Sequence, residues 1–134
     1  MTALDEAATA SLRELVPFAA HLGIEMVAAT AEAVTGRVAW AESLCTSGGS
    51  LNGGVIMGLA DNVGALCAFL NLPVGAGTTT IESKTNFLRA IRSGYATATA
   101  RPLHAGRRII VVETDVVDDE KRLVARVTQT QAVL

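Results

Sequence analysis

The chain has 134 residues, half of them hydrophobic, and a formal net charge of −2 at pH 7. This length suits one domain, spanning residues 1–134, with a core of its own, and the apolar content disfavours intrinsic disorder. The weak negative charge gives no reason to expect a nucleic-acid partner.

Cysteine and histidine are scarce. Cys45 and Cys67 are the only cysteines, and His21 and His104 are the only histidines, so no zinc-type spacing exists. We therefore expect no metal and no cofactor. Two unpaired cysteines suit a reducing cytosol, and the acidic first residues lack the basic start of a secretory signal. These features predict a cytoplasmic protein.

The first third of the chain predicts a helix, two strands and a loop. Apolar residues recur at helical spacing from Leu4 to about His21, with an interruption near Pro17, which predicts an N-terminal helix within residues 1–21. Strand-like runs follow at 22–29 and 33–40, and residues 42–50 have the composition of a loop.

A long apolar helix is expected from about Asn52 to about Leu70. The stretch 51–72 is apolar enough to suggest a membrane span, and Gly54 and Gly58 form a GxxxG pair. However, Asp61 lies at its midpoint, where a carboxylate costs about 2.5–3.5 kcal/mol on insertion scales. We therefore expect a helix enclosed by a protein fold and no membrane partner.

The second half carries four strand-like runs that we interpret as a β-meander, at 78–88, 95–103, 108–117 and 123–133. In the second run, Ala96, Ala98 and Ala100 share one face, which leaves room for the long helix. Six strands around one central helix predict an α+β domain of the hotdog type. A single sheet has open edges, so we expect a homo-oligomer, either a dimer or a tetramer.

Gly53 and Asp61 are the two residues of the long helix that suggest chemistry. A helix N-terminus presents free N–H groups to negative charge, and a carboxylate among apolar residues is costly. Eight helical residues span about 12 Å, so the two groups cannot reach one carbonyl within one chain. If they cooperate, the site is shared across a two-fold interface. The alternatives are a hydrogen-bonded helix carboxylate and a glycine that serves only capping or packing.

Three segments resemble one enzyme family. The run LNGGVIMGLADN at 51–62 is similar to the His-Gly-Gly…Leu-Ala-Asp signature of hotdog acyl-CoA thioesterases, closest to the phenylacetate-degradation type and related to the 4-hydroxybenzoyl-CoA thioesterases. The likeness continues through TIESKTNFLR at 80–89 and LHAGRR at 103–108. It implies hydrolysis of an aryl or medium-chain acyl-CoA to the free acid and CoA.

The resemblance also implies residue roles. Asp61 takes the place of the general base or nucleophile, and the Gly53 backbone N–H takes that of the oxyanion donor. Asn52 stands where the family commonly has His, so it can donate a hydrogen bond but carry no proton. Thr46 stands where relatives place Asn or Gln, and Thr80 matches a strand hydroxyl near the site.

Six cations and no acidic residue lie between Lys84 and Arg108. Arginine binds phosphate through paired hydrogen bonds, and coenzyme A carries phosphates. The resemblance implies a phosphate side that is formed by Arg89, His104, Gly106, Arg107 and Arg108. The alternative is a solvated basic face.

Three functions remain open at this stage. The first is an acyl-CoA thioesterase. The second is a non-catalytic acyl-CoA-binding protein on the same fold, for which Asn52 marks lost catalysis. The third is a hotdog hydratase or dehydratase, which needs a His–acid pair that the sequence does not place near Asp61.

Overall fold

A computed structural model of the chain describes residues 2–134; Met1, part of the predicted N-terminal segment, lies outside them. Three helices and six strands follow one another in this part of the chain. In order, they are α1 (Glu6–Leu15), α2 (Pro17–Leu22), β1 (Glu25–Ala29), β2 (Val34–Ala39), α3 (Gly53–Phe69), β3 (Thr78–Phe87), β4 (Tyr95–Ala105), β5 (Ile109–Val117) and β6 (Leu123–Val133).

The predicted N-terminal helix is two helices. Val16 adopts an extended conformation between α1 and α2, with φ −124° and ψ 96°. A residue that precedes proline is disfavoured in the helical region, and Pro17 then starts α2 at a position that tolerates its missing N–H. The interruption near Pro17 is therefore a complete break. The predicted loop at 42–50 also contains one 3₁₀ turn, at Glu42–Leu44.

All six strands form one antiparallel sheet in the order β1-β2-β4-β5-β6-β3. The predicted meander holds for β4, β5 and β6, but β3 was wrongly included in it. It pairs with β6 at the far edge of the sheet. The α3 helix precedes β3 and crosses the sheet, so the chain enters β3 on the side opposite β2. This arrangement of a sheet around a helix confirms the expected α+β hotdog fold.

The α3 helix packs against the alanine face of β4. Ala96, Ala98 and Ala100 are almost completely buried, at 1%, 0% and 0% exposure, and α3 contacts β4 along its length. Small side chains on the strand let the helix approach closely, as the sequence predicted. No helix within residues 2–134 combines the length and the hydrophobicity that a membrane crossing requires.

A β-bulge decides which side chains of β3 face α3. Thr80 pairs with Gln131 and Glu82 pairs with Thr130, so Ile81 is an extra residue in the ladder. An extra residue reverses the alternation of side chains along a strand. Phe87 follows Thr80 by seven positions, which would put the two on opposite faces of a regular strand; because of the bulge, both lie on the helix-facing side of β3.

The outer edge of β3 has no neighbouring strand within residues 2–134. It is ten residues long, and Ile81 and Phe87 are 60% and 50% exposed. The opposite edge strand, β1, packs against α1. A long unpaired edge leaves backbone N–H and C=O groups free to pair, so β3 is the edge at which a second chain would add.

Candidate active site

The N-terminus of α3 is capped by Asn52. Its Oδ1 accepts from the Gly54 N–H at 2.7 Å, which satisfies one of the donors that every helix start leaves free. Gly53 is the first helical residue, so its N–H has no acceptor four residues earlier. The Phe87 ring lies against Gly53: a Cβ there would be 3.2 Å from its Cζ. The helix therefore presents one free N–H, bordered by an aromatic ring.

Asp61 lies two turns further along α3, beside the helix-facing side of β3 and β6. Gln129, on β6, donates from Nε2 to Asp61 Oδ1 at 2.6 Å. The same Nε2 is 3.5 Å from the Thr80 hydroxyl, to which Gln131 donates at 2.8 Å. Asp61 as a whole is exposed in the single chain, whereas Gln129 and Gln131 are buried. The carboxylate thus has one side fixed to the sheet and another open.

The surroundings of this carboxyl change its acidity. Partial burial raises the pKa of Asp61 above its usual value, and hydrogen bonds from Gln129 and Thr80 oppose that rise. A carboxylate with a raised pKa is a stronger base than a free aspartate. The environment therefore suits a group that accepts a proton or attacks an electrophile.

The structure keeps Gly53 and Asp61 of one chain apart. Both belong to the continuous helix Gly53–Phe69, and eight residues of helix span about 12 Å. Asn52 adjoins Gly53, and Thr80 adjoins Asp61 through Gln129. Thr46 lies in the exposed loop before α3, where its N–H donates to the Ser50 carbonyl at 2.8 Å. One chain therefore carries two separate groups of candidate residues.

The candidate phosphate ligands also form two groups. The β4–β5 connection forms a cleft of about 600 Å³, lined by His104, Gly106, Arg107, Arg108 and Ile109. Arg89 lines a different cleft together with three acidic residues, Asp118, Asp119 and Glu120. Only the first cleft has a purely basic charge, so it is the better match to a phosphate group.

Neither cysteine offers an alternative nucleophile. Burial raises the pKa of Cys67 to about 11, so its thiol stays protonated at neutral pH. Cys45 donates from Sγ to the Ala41 carbonyl at 3.3 Å. Asp61 is the stronger candidate.

A model of the thioesterase superfamily matches residues 48–125, more than half of the chain. The chain belongs to the thioesterase superfamily. The matched segment contains α3, β3, β4, β5 and the start of β6, including both Gly53 and Asp61. The family confirms that the protein is a thioester hydrolase, and it leaves the hydratase interpretation without support.

Three similar proteins match between 64% and 100% of the chain. A Haemophilus influenzae protein that carries an esterase name is 34% identical over 81% of this chain and 80% of its own. The crystal structure of a thioesterase from Haemophilus influenzae superposes with a TM-score of 0.88 at 29% identity, covering 100% of this chain and 95% of that chain. The 1,4-dihydroxy-2-naphthoyl-CoA hydrolase of Escherichia coli is 29% identical over 64% of this chain and 63% of its own.

Sequence reasoning about this thioesterase domain missed Gln129. The signal was present: Gln129 and Gln131 alternate with threonines in β6, so both point to the face that carries Val127. Two amides on a buried face indicate polar partners across the core. Their partners, Asp61 and Thr80, come from other elements, and local patterns contain no information about that contact.

We predict that Asn52→Ala lowers the free energy of unfolding of this thioesterase domain by about 0.5–2 kcal/mol, because the N-cap bond to Gly54 is lost. Asn52→Asp retains an acceptor and should recover most of that loss. Chemical denaturation of the three proteins measures the effect. Equal stability of the alanine variant and the original chain would contradict the capping role.

Proposed function

We propose that the protein hydrolyses an acyl-CoA thioester at two sites, each formed by Asp61 of one subunit and the Gly53 N–H of the partner subunit. The observation that carries the proposal is the placement of both groups on α3. One chain holds a free helix N–H and an open carboxylate, and too large a distance separates them to act on one carbonyl. A two-fold axis would place Asp61 of each subunit near the Gly53 N–H of the other.

The open edge of β3 supports this assembly. Thr80 adjoins Asp61 through Gln129, and Phe87 adjoins Gly53 at the other end of the strand. If two β3 strands pair antiparallel about their middle, near Ser83 and Lys84, the Thr80 end of one meets the Phe87 end of the other. Asp61 would then lie beside the partner's Gly53. Pairing would also cover the exposed Ile81.

The chemistry follows from these two groups. The thioester carbonyl oxygen accepts a hydrogen bond from the Gly53 N–H, which stabilises the developing oxyanion; loss of such a donor typically costs about 2.7–4 kcal/mol. Asp61 either attacks the carbonyl carbon, which gives a mixed anhydride that water then hydrolyses to the free acid, or removes a proton from the water that attacks the carbon. In both routes the C–S bond breaks and the thiolate leaves. A thiolate needs little help from an acid, so the absence of His at Asn52 is tolerated.

The basic cleft of the β4–β5 connection is the proposed binding site for the CoA phosphates. Arg107 and Arg108 are exposed there beside His104, and none of the lining residues is acidic. The mixed charge around Arg89 makes it a weaker candidate ligand, and it lines a cleft separate from this one. The cytosol, which holds both CoA and reduced thiols, is the proposed location.

An apolar groove next to Asp61 is the proposed site for the acyl part. It has a volume of about 240 Å³ and begins at Asn62 and Ala65, the next residues of α3 on that side. Leu66 and Phe69 extend it along α3, and Leu12 and Leu15 of α1 close it together with Val16, which follows α1. Such a groove suits an aryl or medium-length alkyl group. The Escherichia coli relative is named for an aryl-CoA substrate.

A binding protein without catalysis is the second candidate, because Asn52 uses its Oδ1 as a helix cap and has no proton to transfer. Both candidates bind acyl-CoA, and only one releases free thiol. A thiol-reagent assay with a panel of acyl-CoAs separates them.

We predict that Asp61→Asn lowers kcat for acyl-CoA hydrolysis by about 10²–10⁴-fold, because the amide is neither a base nor a nucleophile. Since the pKa of Asp61 is raised, the folded state favours its protonated form, and ionisation at neutral pH costs stability. The variant should therefore be as stable as the original chain at pH 7, or more stable, and the difference should disappear in acid. Asp119→Asn, at an exposed turn, is the control. Full activity of Asp61→Asn would remove Asp61 from the mechanism.

We predict that Ala65→Leu lowers kcat/KM for aryl- and octanoyl-CoA by about tenfold or more, because three added carbons fill the mouth of the groove. Acetyl-CoA, which does not enter the groove, should be affected much less. Ala10→Leu on the exposed side of α1 is the matched control. An equal effect on acetyl-CoA and octanoyl-CoA would contradict the acyl groove.

A further inference from the structure

Gln129 lies completely buried between the sheet and α3, directly beneath Asp61. Its neighbour on the same face of β6, Val127, is apolar. We propose that Gln129 is a positioning residue: it fixes one oxygen of the Asp61 carboxylate by a hydrogen bond, so that the other oxygen is presented to the substrate carbonyl. This inference rests on the proposed function, and it assigns a role to a residue on a different element from either reacting group.

The hydrogen bonds of Gln129 indicate a role at Asp61, not a role in stabilising the fold. Its Nε2 donates to Asp61, whereas its Oε1 is buried with no hydrogen-bond partner within residues 2–134. A buried acceptor without a partner destabilises a folded protein, and a hydrocarbon side chain of the same length would avoid that cost. If residue 129 served only stability, we would expect a hydrocarbon side chain at this position. The hydrogen bond to the Asp61 carboxylate explains why the side chain is an amide.

Gly64 provides a second, independent observation. It lies inside α3, where glycine weakens a helix, and a Cβ at this position would overlap Gln129 Oε1. The Gln129 amide occupies the space that a side chain at position 64 would need. Two features that each lower stability, an interior glycine and an unpartnered amide oxygen, therefore meet at one place beneath the carboxylate.

Gln131 shows what a structural glutamine on the same strand looks like. Its Nε2 donates to the Thr80 hydroxyl at 2.8 Å, and its Oε1 accepts from the Thr78 hydroxyl at 3.1 Å. Both ends of this amide are satisfied, and neither bonds to Asp61. It is equally buried, at 1% exposure. Gln131 is therefore a matched control for Gln129.

No charged side chain in the described part of the chain forms an ion pair with Asp61. Its orientation consequently depends on neutral donors, of which Gln129 is the closest at 2.6 Å. A neutral amide holds a carboxylate without cancelling its charge, which a base or nucleophile must keep.

The test compares Gln129→Met with Gln131→Met in acyl-CoA hydrolysis and thermal unfolding. For Gln129→Met we expect a loss of about tenfold or more in kcat with little change in KM, and a Tm that is unchanged or higher. Gln131→Met should keep kcat within about threefold and lower the Tm, because the Thr80 hydroxyl loses its close donor, while the Thr78 hydroxyl keeps the Ala132 carbonyl. A smaller loss of kcat in Gln129→Met, or equal losses in both variants, overturns the inference.

Titration of the Asp61 carboxyl by ¹³C NMR provides a readout that does not require activity. Loss of the amide donor in Gln129→Met should raise the pKa of Asp61, and Gln131→Met, which removes no donor to Asp61, should change it much less. The acid limb of kcat/KM should move in the same direction. If the original chain hydrolyses no acyl-CoA, the proposed function fails, and the titration still decides whether Gln129 holds the carboxylate. An unchanged Asp61 pKa in Gln129→Met overturns the inference.

Discussion

A single rigid helix determines what this protein can do. The α3 helix is enclosed by the sheet along its length, so Gly53 and Asp61 cannot move towards each other without unfolding the core. Their separation of about 12 Å exceeds the reach of an aspartate side chain. One chain therefore holds a helix end with a free N–H and an open carboxylate at two different places. If a second copy completes each pair, three features acquire a role: the open edge of β3, the bulge at Ile81 and the Phe87 ring at Gly53.

The same helix is built at some cost to stability. Its first turn contains two adjacent glycines, its middle contains Gly64, and Asp61 interrupts an otherwise apolar surface. Each feature is unfavourable for an isolated helix or a dry core. Packing against the alanine face of β4 offsets these losses, because burial of Leu59 and Val63 is complete. Stability thus comes from the side of α3 that packs on β4, and the proposed chemistry from its N-terminus and from Asp61 at its middle.

Local patterns in the sequence predicted most of the elements and the right fold class. These patterns depend only on residues that are close in sequence: the apolar run of α3, the alternating alanines of β4 and the turn residues between strands. The position of β3 was wrong because strand order depends on pairing between distant segments. The bulge was also hidden: without it, Thr80 and Phe87 would face opposite sides, and neither proline nor glycine marks the extra residue. Gln129 was missed for a related reason, since its importance comes only from contact with Asp61.

The claim of a shared site is tested most directly by mixing two inactive variants. Gly53→Pro removes the proposed oxyanion donor; proline suits the first position of a helix, and Asn52 already has the extended conformation (φ −59°, ψ 137°) that a following proline requires. The half-exposed Phe87 ring must shift by a few tenths of an ångström to make room for the proline ring. Asp61→Asn removes the carboxylate. Co-refolding equal amounts should form mixed dimers in which one site contains both defects and the other contains neither. We expect activity to return to about a quarter of that of the original protein, since half of the dimers are mixed and half of their sites are intact. Activity that stays at the level of the separate variants, although mixed dimers are present, would contradict the account.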